Sequence, residues 1–377
     1  MLDYTIPQEI PHCPNSQCVC YHDPPKEAWY KAHATYTTNT KGLITRYRCC
    51  YCGKTFSAQT FSIDYYVKKN VDYHFLLYNL KTASGLIDVY REKRYSVETI
   101  QNRYERLARC ALAIHSRILG QVPMLEDFAA DGLESFAYSQ YFPNNINIIA
   151  GSNSEFIYTL GFANLRRKGK MTEKQRLHRA KLEKAAKADP KAIEKSMKSL
   201  ILELLSHLVA KNSCAKSFHT DQHKQYEQAI AAIPEFADKL THVQTSSKRK
   251  RDKRNPLFPV NYVDRQIRKD CSDHVRETVQ FAKCPSALMS RMELYKFMHN
   301  YEIPHRVKDL RQGDDSTHAE MTGLGRSAIT EGVKAYWMKR PFLKKIALGD
   351  EAQKTWFMQW LNPGKKMGRY VPKFIAA

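Results

Sequence analysis

The stretch RYRCCYCGKTFS, residues 46–57, constrains this chain more than any other. Cys49 and Cys52 have two residues between them and Gly53 directly behind, the form of half a zinc site, and upstream HCPNSQC supplies Cys13 and Cys18. Thiolates bind zinc tetrahedrally, and a turn between two nearby cysteines aims both sulfurs at one ion. The set Cys13, Cys18, Cys49 and Cys52 therefore predicts a zinc ribbon, with two short strands in the intervening YKAHATYTTNTKGLITRYRC. A segment this small has no core of its own, so Zn²⁺ would supply most of its folding free energy. Cys20, Cys50, His12 and His22 compete for the ligand positions, and the first cysteine pair, with its wider spacing, is the looser of the two.

The other four cysteines (Cys110, Cys214, Cys271, Cys284) are scattered singly and read as buried thiols. With 377 residues the chain is long enough for two or three domains. Lysine and arginine number 60 against 38 acidic residues, a net charge of +22, which points to a phosphate-rich partner and makes nucleic acid the default expectation. The N-terminus lacks the charge and apolar run of a signal peptide, and no run of about 18 apolar residues occurs. The expectation is a soluble cytoplasmic protein with no membrane partner.

Residues 73–118 read as helical, ending in SVETIQNRYERLARCALAIHSRI. Ser96 can cap the last helix, and Glu98 suits its first turn. An apolar stripe of Val97, Ile100, Tyr104, Leu107 and Ala111 leaves Glu98, Thr99, Gln101, Asn102, Arg103 and Arg106 on the other face. Those are residue types that a recognition helix uses on base edges and phosphates, so the segment predicts a helix-turn-helix contacting double-stranded DNA.

Beyond residue 124 the pattern changes to strands. An apolar run ends in Asp131, and two further runs, Ile146–Ala150 and Phe156–Leu160, follow across turn residues, predicting an antiparallel meander. Much later, AKSFHTDQHKQYEQAI offers a short strand ending in Asp221 and then a helix with Tyr226. A third acid is expected on a helix within DHVRETVQFAKCPSALMSRMELYKFMHNYEIPHR, where Glu277 and Glu293 are both available. Carboxylates on separate elements that converge can hold two Mg²⁺ ions for phosphodiester chemistry. Residues 165–211 insert a strongly basic stretch and then the apolar SLILELLSHLVA, which reads as core packing in preference to a dimer interface. The run KRKRDKRNP, with Lys248, Arg249, Lys250 and Arg251, reads as a loop that clamps the DNA backbone.

Taken together, from CPNSQC…RYRCCYCGKTFS through TDQHKQY to HNYEIPHR…STHAEMTGL, the chain resembles the DDE transposases of bacterial insertion sequences. That resemblance implies an α+β multidomain protein. Its parts would be a zinc ribbon (1–70), a helix-turn-helix (71–122), an RNase H-like α/β core (123–310) with a helical insertion (about 165–211), and a C-terminal extension (311–377). It also implies Mg²⁺-dependent cleavage and transfer of DNA at terminal inverted repeats, by a dimer or higher oligomer. Asp131 and Asp221 match the first two catalytic acids, the latter in the form TDxxxxY, and Glu293 is the expected third, on the helix preceding HNYEIPHR. Loss of that third acid at Ser290 would instead make the chain a DNA-binding regulator that keeps the core only as architecture.

Overall fold

The chain is described from a computed structural model over residues 2–184, 187–275, 279–360 and 375. It is a mixed α+β structure built on two sheets. In the first, β1 (Tyr30–Thr38) and β2 (Gly42–Cys49) form an antiparallel hairpin, and the short β3 (Thr55–Phe56) pairs with β2. The two long strands are the ones expected in the ribbon. Most of their side chains face solvent, so the hairpin is anchored at one end, by the cysteines and by a small aromatic cluster of Tyr21, Trp29, Phe56, Phe61 and Phe342.

The second sheet has five strands in the order β6-β5-β4-β7-β8. β4 (Phe128–Phe136), β5 (Pro143–Gly151) and β6 (Ile157–Asn164) form the expected antiparallel meander. β7 (Lys216–Asp221) and β8 (Leu240–Thr245) then add in parallel, β7 against β4 and β8 against β7. A parallel pair requires a long crossover. Between β6 and β7 that crossover contains α4 (Glu173–Glu183) and α5 (Ala192–Ala210).

These two helices divide as their sequences dictate. α4 has no buried residue and is rich in lysine and arginine, whereas α5 buries Met197, Leu200, Ile201, Leu204 and Leu208 against β5 and β6. The apolar half of the insertion is thus core packing. It approaches closely at Gly161, where any side chain would collide with Ser196.

The predicted helical segment resolves into α1 (Tyr73–Leu80), α2 (Leu86–Lys93) and α3 (Val97–Leu119). Ser96 caps α3 by accepting from the Thr99 amide at 3.3 Å. The stripe Ile100, Tyr104, Leu107 and Ala111 is buried as expected, but so is nearly everything else on the helix. α3 packs along α8 (Pro285–Tyr301), every residue of which is buried, and against α9 (Arg326–Tyr336). One hydrophobic core runs continuously from α1–α3 through the five-stranded sheet to α8 and α9. Residues 71–122 are therefore part of the core of residues 123–310 rather than a body beside it.

This changes the standing of Gln101, Arg103 and Arg106, which were expected to face DNA. All three are buried. Arg106 donates to the Ile63 and Tyr65 carbonyls at 2.9 and 2.8 Å and to Asn102 Oδ1 at 2.9 Å, with its guanidinium over the Tyr65 ring. Arg103 donates to the Lys69 carbonyl and to Asn102, and Gln101 accepts from Arg291 at 3.0 Å. Thr99 is half-buried beside Ser96, and the half-buried Asn102 is occupied by the two arginines. The periodicity predicts one face correctly, but a helix covered on all sides turns its second, polar face inward as well. Arg106 ties the segment after the ribbon to α3, so Arg106→Ala should destabilise the chain by roughly 2–4 kcal/mol through unpaired buried carbonyls. The midpoint of urea unfolding would measure it, and a shift of under about 0.5 kcal/mol would count against this role.

Candidate metal and carboxylate sites

The ribbon cysteines meet as a metal site should. Cys13, Cys18, Cys49 and Cys52 place their sulfurs within 4.8 Å of one another. Cys13 Sγ lies 3.5 Å from Cys52 Sγ, and Cys18 Sγ lies 3.8 Å from Cys49 Sγ. Tetrahedral zinc with Zn–S near 2.3 Å requires sulfurs about 3.8 Å apart, so the group can hold one zinc ion. Gly53 makes the turn after Cys52 with φ +70°, a conformation that a side chain disfavours, and its amide donates to the Cys49 carbonyl. Burial pushes the Cys52 thiol up, but hydrogen bonds from the Lys54 backbone, Asn15 and neighbouring thiols outweigh it and bring it down to about 7. That is near the thiolate state which zinc needs.

The competing residues are placed elsewhere. Cys20 is buried but outside the group, and Cys50 is exposed. His12 donates from Nδ1 to the Cys13 carbonyl and packs edge-on against Tyr21, Phe61 and Phe342, and burial pushes its pKa down to about 4.

Two of the three expected acids, Asp131 and Asp221, stand on neighbouring strands. Parallel pairing of β4 with β7 aligns Phe128 with Phe218 and Ala129 with His219, so the same register sets Asp131 beside Asp221. Asp131 Oδ1 accepts from the Gly132 amide at 2.8 Å, and Asp221 Oδ1 accepts from the His223 amide at 2.9 Å.

Glu293 is not the third member. Its side chain is buried in α8 in an ion pair with Lys296 at 2.6 Å, in the electrostatic neighbourhood of Glu203. Its position one turn from Lys296 on a fully buried helix makes it a structural charge. Glu277 lies outside the described residues. Ser290, also in α8, is buried, donating to the Ser286 carbonyl and packing on Met358.

The carboxylate that joins the two aspartates is Asp264, on α7 (Phe258–Asp270), a helix that packs against β4 and β5. Burial, reinforced by the charge of Asp131, pushes the Asp264 carboxyl up to about 8 against Arg268 and Arg251. Burial, opposed by the Gly132 amide and reinforced by Asp221, pushes Asp131 up to about 6, with Arg251 offsetting part of it. Tyr226, on α6 (Lys224–Ala231), is subject to the charge of all three acids. Its buried phenol is raised by burial and then by Asp131, Asp221 and Asp264 together. Asp264 Oδ1 is enclosed and has no hydrogen-bond partner among the described residues. Among the described residues the three aspartates do not come within 4.8 Å of one another as the cysteines do, and the charge of Arg251 in the basic run acts on both Asp131 and Asp264.

Sequence reasoning misses Asp264, although a signal is present. Val260, Asp264 and Ile267 fall at helical spacings of four and three, so a carboxylate occupies the apolar stripe of FPVNYVDRQIRKD. The expectation of Glu293 places the third acid one helix too late.

The raised carboxyls carry a pH signature. Asp131 and Asp264 hold protons in the folded chain to about 6 and about 8, against 3.8 for a free aspartate, so between these values the native state binds more protons than the unfolded one. Stability of the metal-free trio should therefore fall as pH rises from about 4 to about 8. Asp264→Asn should remove the larger share of that fall, making the variant more stable than wild type near pH 8 in Mg²⁺-free buffer and near neutral at about pH 4. Thermal unfolding across that range measures it, and parallel curves for the two proteins would contradict the placement of Asp264. Compared with known proteins, the chain matches no family model and no curated protein sequence, so the reading of these sites rests on their geometry.

Proposed function

We propose that this protein is a DNA-cleaving and strand-transferring enzyme of the transposase type, acting through Asp131, Asp221 and Asp264. The observation that carries the reading is the convergence of two strand-borne acids and one helix-borne acid about Tyr226. The sheet order, three antiparallel strands followed by two parallel ones, agrees with an RNase H-like core. Three carboxylates offer hard oxygen ligands, the donor set that Mg²⁺ takes, and the enclosed Oδ1 of Asp264 is a polar atom in need of a partner. A pair of Mg²⁺ ions bound there would activate an attacking water or 3′-hydroxyl and stabilise the leaving oxygen. The chain's own contribution is to fix the three acids on rigid elements and to bring Arg251 close to the phosphate that reacts.

Double-stranded DNA would then be held by the basic surface. Lys248, Arg249, Lys250 and Arg251 are all exposed, as are Arg46 and Arg48 of the hairpin and most of α4. Joining two element ends would require two or more copies of the chain. The alternative is a regulator without chemistry, in which a third acid has been lost at Ser290, a residue buried here against Ser286 and Met358.

The DNA flanking the reading frame is the substrate for the test. Asp131→Asn, Asp221→Asn and Asp264→Asn should each bind it with unchanged affinity while Mg²⁺-dependent cleavage falls to background. Glu293→Gln should cut at a rate per folded molecule close to wild type. If Asp264→Asn cuts normally, the trio is wrong, and if the wild type binds but never cuts with Mg²⁺ or Mn²⁺, the enzyme reading fails.

Binding itself has a separate signature. Replacing Lys248, Arg249, Lys250 and Arg251 with alanine should flatten the dependence of log binding constant on log salt by about 0.9 for each DNA phosphate that the loop no longer neutralises. An unchanged slope would exclude this loop from the interface.

A further inference from the structure

Away from the aspartates, a second cluster of ligating side chains joins parts of the chain that are far apart in sequence. Glu155 stands in the β5–β6 turn, His305 follows α8, and His318 opens a short helical turn, His318–Met321. One ligand atom from each lies within 4.8 Å of the others. We propose that Glu155, His305 and His318 bind a second transition-metal ion, of the zinc class, by two imidazole nitrogens and one carboxylate oxygen.

The orientation of the rings is that of ligands already fixed by outer partners. His318 Nδ1 lies 2.7 Å from the Ser154 carbonyl, which it can only meet as a donor, and this leaves the lone pair on Nε2. His305 hydrogen-bonds the Asn153 backbone, and its Nε2 is buried with no hydrogen-bond partner among the described residues. That Nε2 lies 3.7 Å from Glu155 Oε2, too far for a hydrogen bond. Nitrogen and oxygen ligands at about 2.0–2.1 Å on one tetrahedral zinc lie about 3.4 Å apart, so this pair needs a shift of only a few tenths of an ångström to share an ion. A ligating histidine with its other nitrogen on a backbone carbonyl is the usual outer-shell arrangement at zinc.

Two neighbours bear on the site. His299 stacks on His318, with ring centroids 3.8 Å apart, and donates to the Glu155 carbonyl, so it holds both ligands in place without facing the ion. Arg306 grips Glu155 through both oxygens at 2.6 and 2.7 Å. A carboxylate oxygen has two lone pairs, so Oε2 can accept from Arg306 and still bind a metal. Three protein ligands leave one tetrahedral position for water. Because Arg306 also lies over the Tyr262 ring of α7, the ion would brace the loop that steadies the helix carrying Asp264.

Cobalt(II) is the probe, because its absorption separates the two sites: only thiolate ligands give the intense sulfur-to-metal charge-transfer band. The full chain, purified without a histidine tag and kept in excess Mg²⁺ to occupy oxygen-only sites, is titrated with Co²⁺. The expected result is two tightly held ions per chain, one with the charge-transfer band and one without. His318→Gln and Glu155→Gln should each lose the second ion and leave the charge-transfer band intact, while Cys49→Ser should do the reverse. A single ion per wild-type chain, carrying the whole charge-transfer signal, overturns the proposal, and so does an unchanged stoichiometry in His318→Gln. Should the variants fail to fold, the wild-type end point alone decides between one ion and two.

Discussion

Parallel pairing of β4 with β7 is the contact on which the rest of this structure depends. It joins a strand of the meander to one that arrives only after the long insertion, and it can form only if α5 covers the sheet and closes the crossover. Its register is not negotiable, because a slip of one residue would turn every side chain of β7 to the opposite face. With the register set, Asp131 and Asp221 stand side by side, and α7, lying across β4 and β5, brings Asp264 to them. Burial first, and the neighbouring acid second, raise the pKa values of Asp131 and Asp264, so the fold favours their protonated forms until a cation is bound.

The buried aspartates contrast with the paired charges elsewhere in the core. α8 is buried along its whole length yet contains Arg291, Glu293, Lys296, His299 and Asn300. Arg291 pairs with Asp273, Glu293 with Lys296, and Asn300 completes the start of β6 by both accepting from and donating to Ile157. Buried charges of this kind are retained when each has a partner, and removing one partner leaves the other exposed to a low-dielectric interior. They read as functional acids in a sequence because nothing in the local pattern tells a paired buried glutamate from a metal-binding one.

The ribbon is bound to the rest of the chain by more than its linker. Phe342 enters its aromatic cluster, and backbone bonds from Ile63 to Met338 and from Arg340 to Phe61 stitch the two segments together. The module that the cysteines anchor is thereby coupled to the C-terminal part of the chain. In the proposed function, the exposed hairpin would be presented at a fixed angle to the aspartates rather than swinging on a tether.

By itself the sequence determined what local spacing can express. The four cysteines with their glycine, the two hairpin strands, the meander, the N-cap at Ser96 and the strand-terminal Asp221 are all read within a few residues of chain, and all are where local spacing puts them. The tertiary structure alone decided which polar faces are buried and which acids meet. Arg103 and Arg106 look like DNA contacts on an isolated helix, and they are inward because the segment from Ile63 to Lys69 lies against that face of α3 and takes their hydrogen bonds. Glu293 and Asp264 are both acids on helices after β7. Only the packing of α7 on the sheet, against α8 on α3, places one beside Asp131 and the other beside Lys296. Helical periodicity fixes which residues share a face, but which body that face meets is set by contacts between segments hundreds of residues apart, and no local pattern contains them.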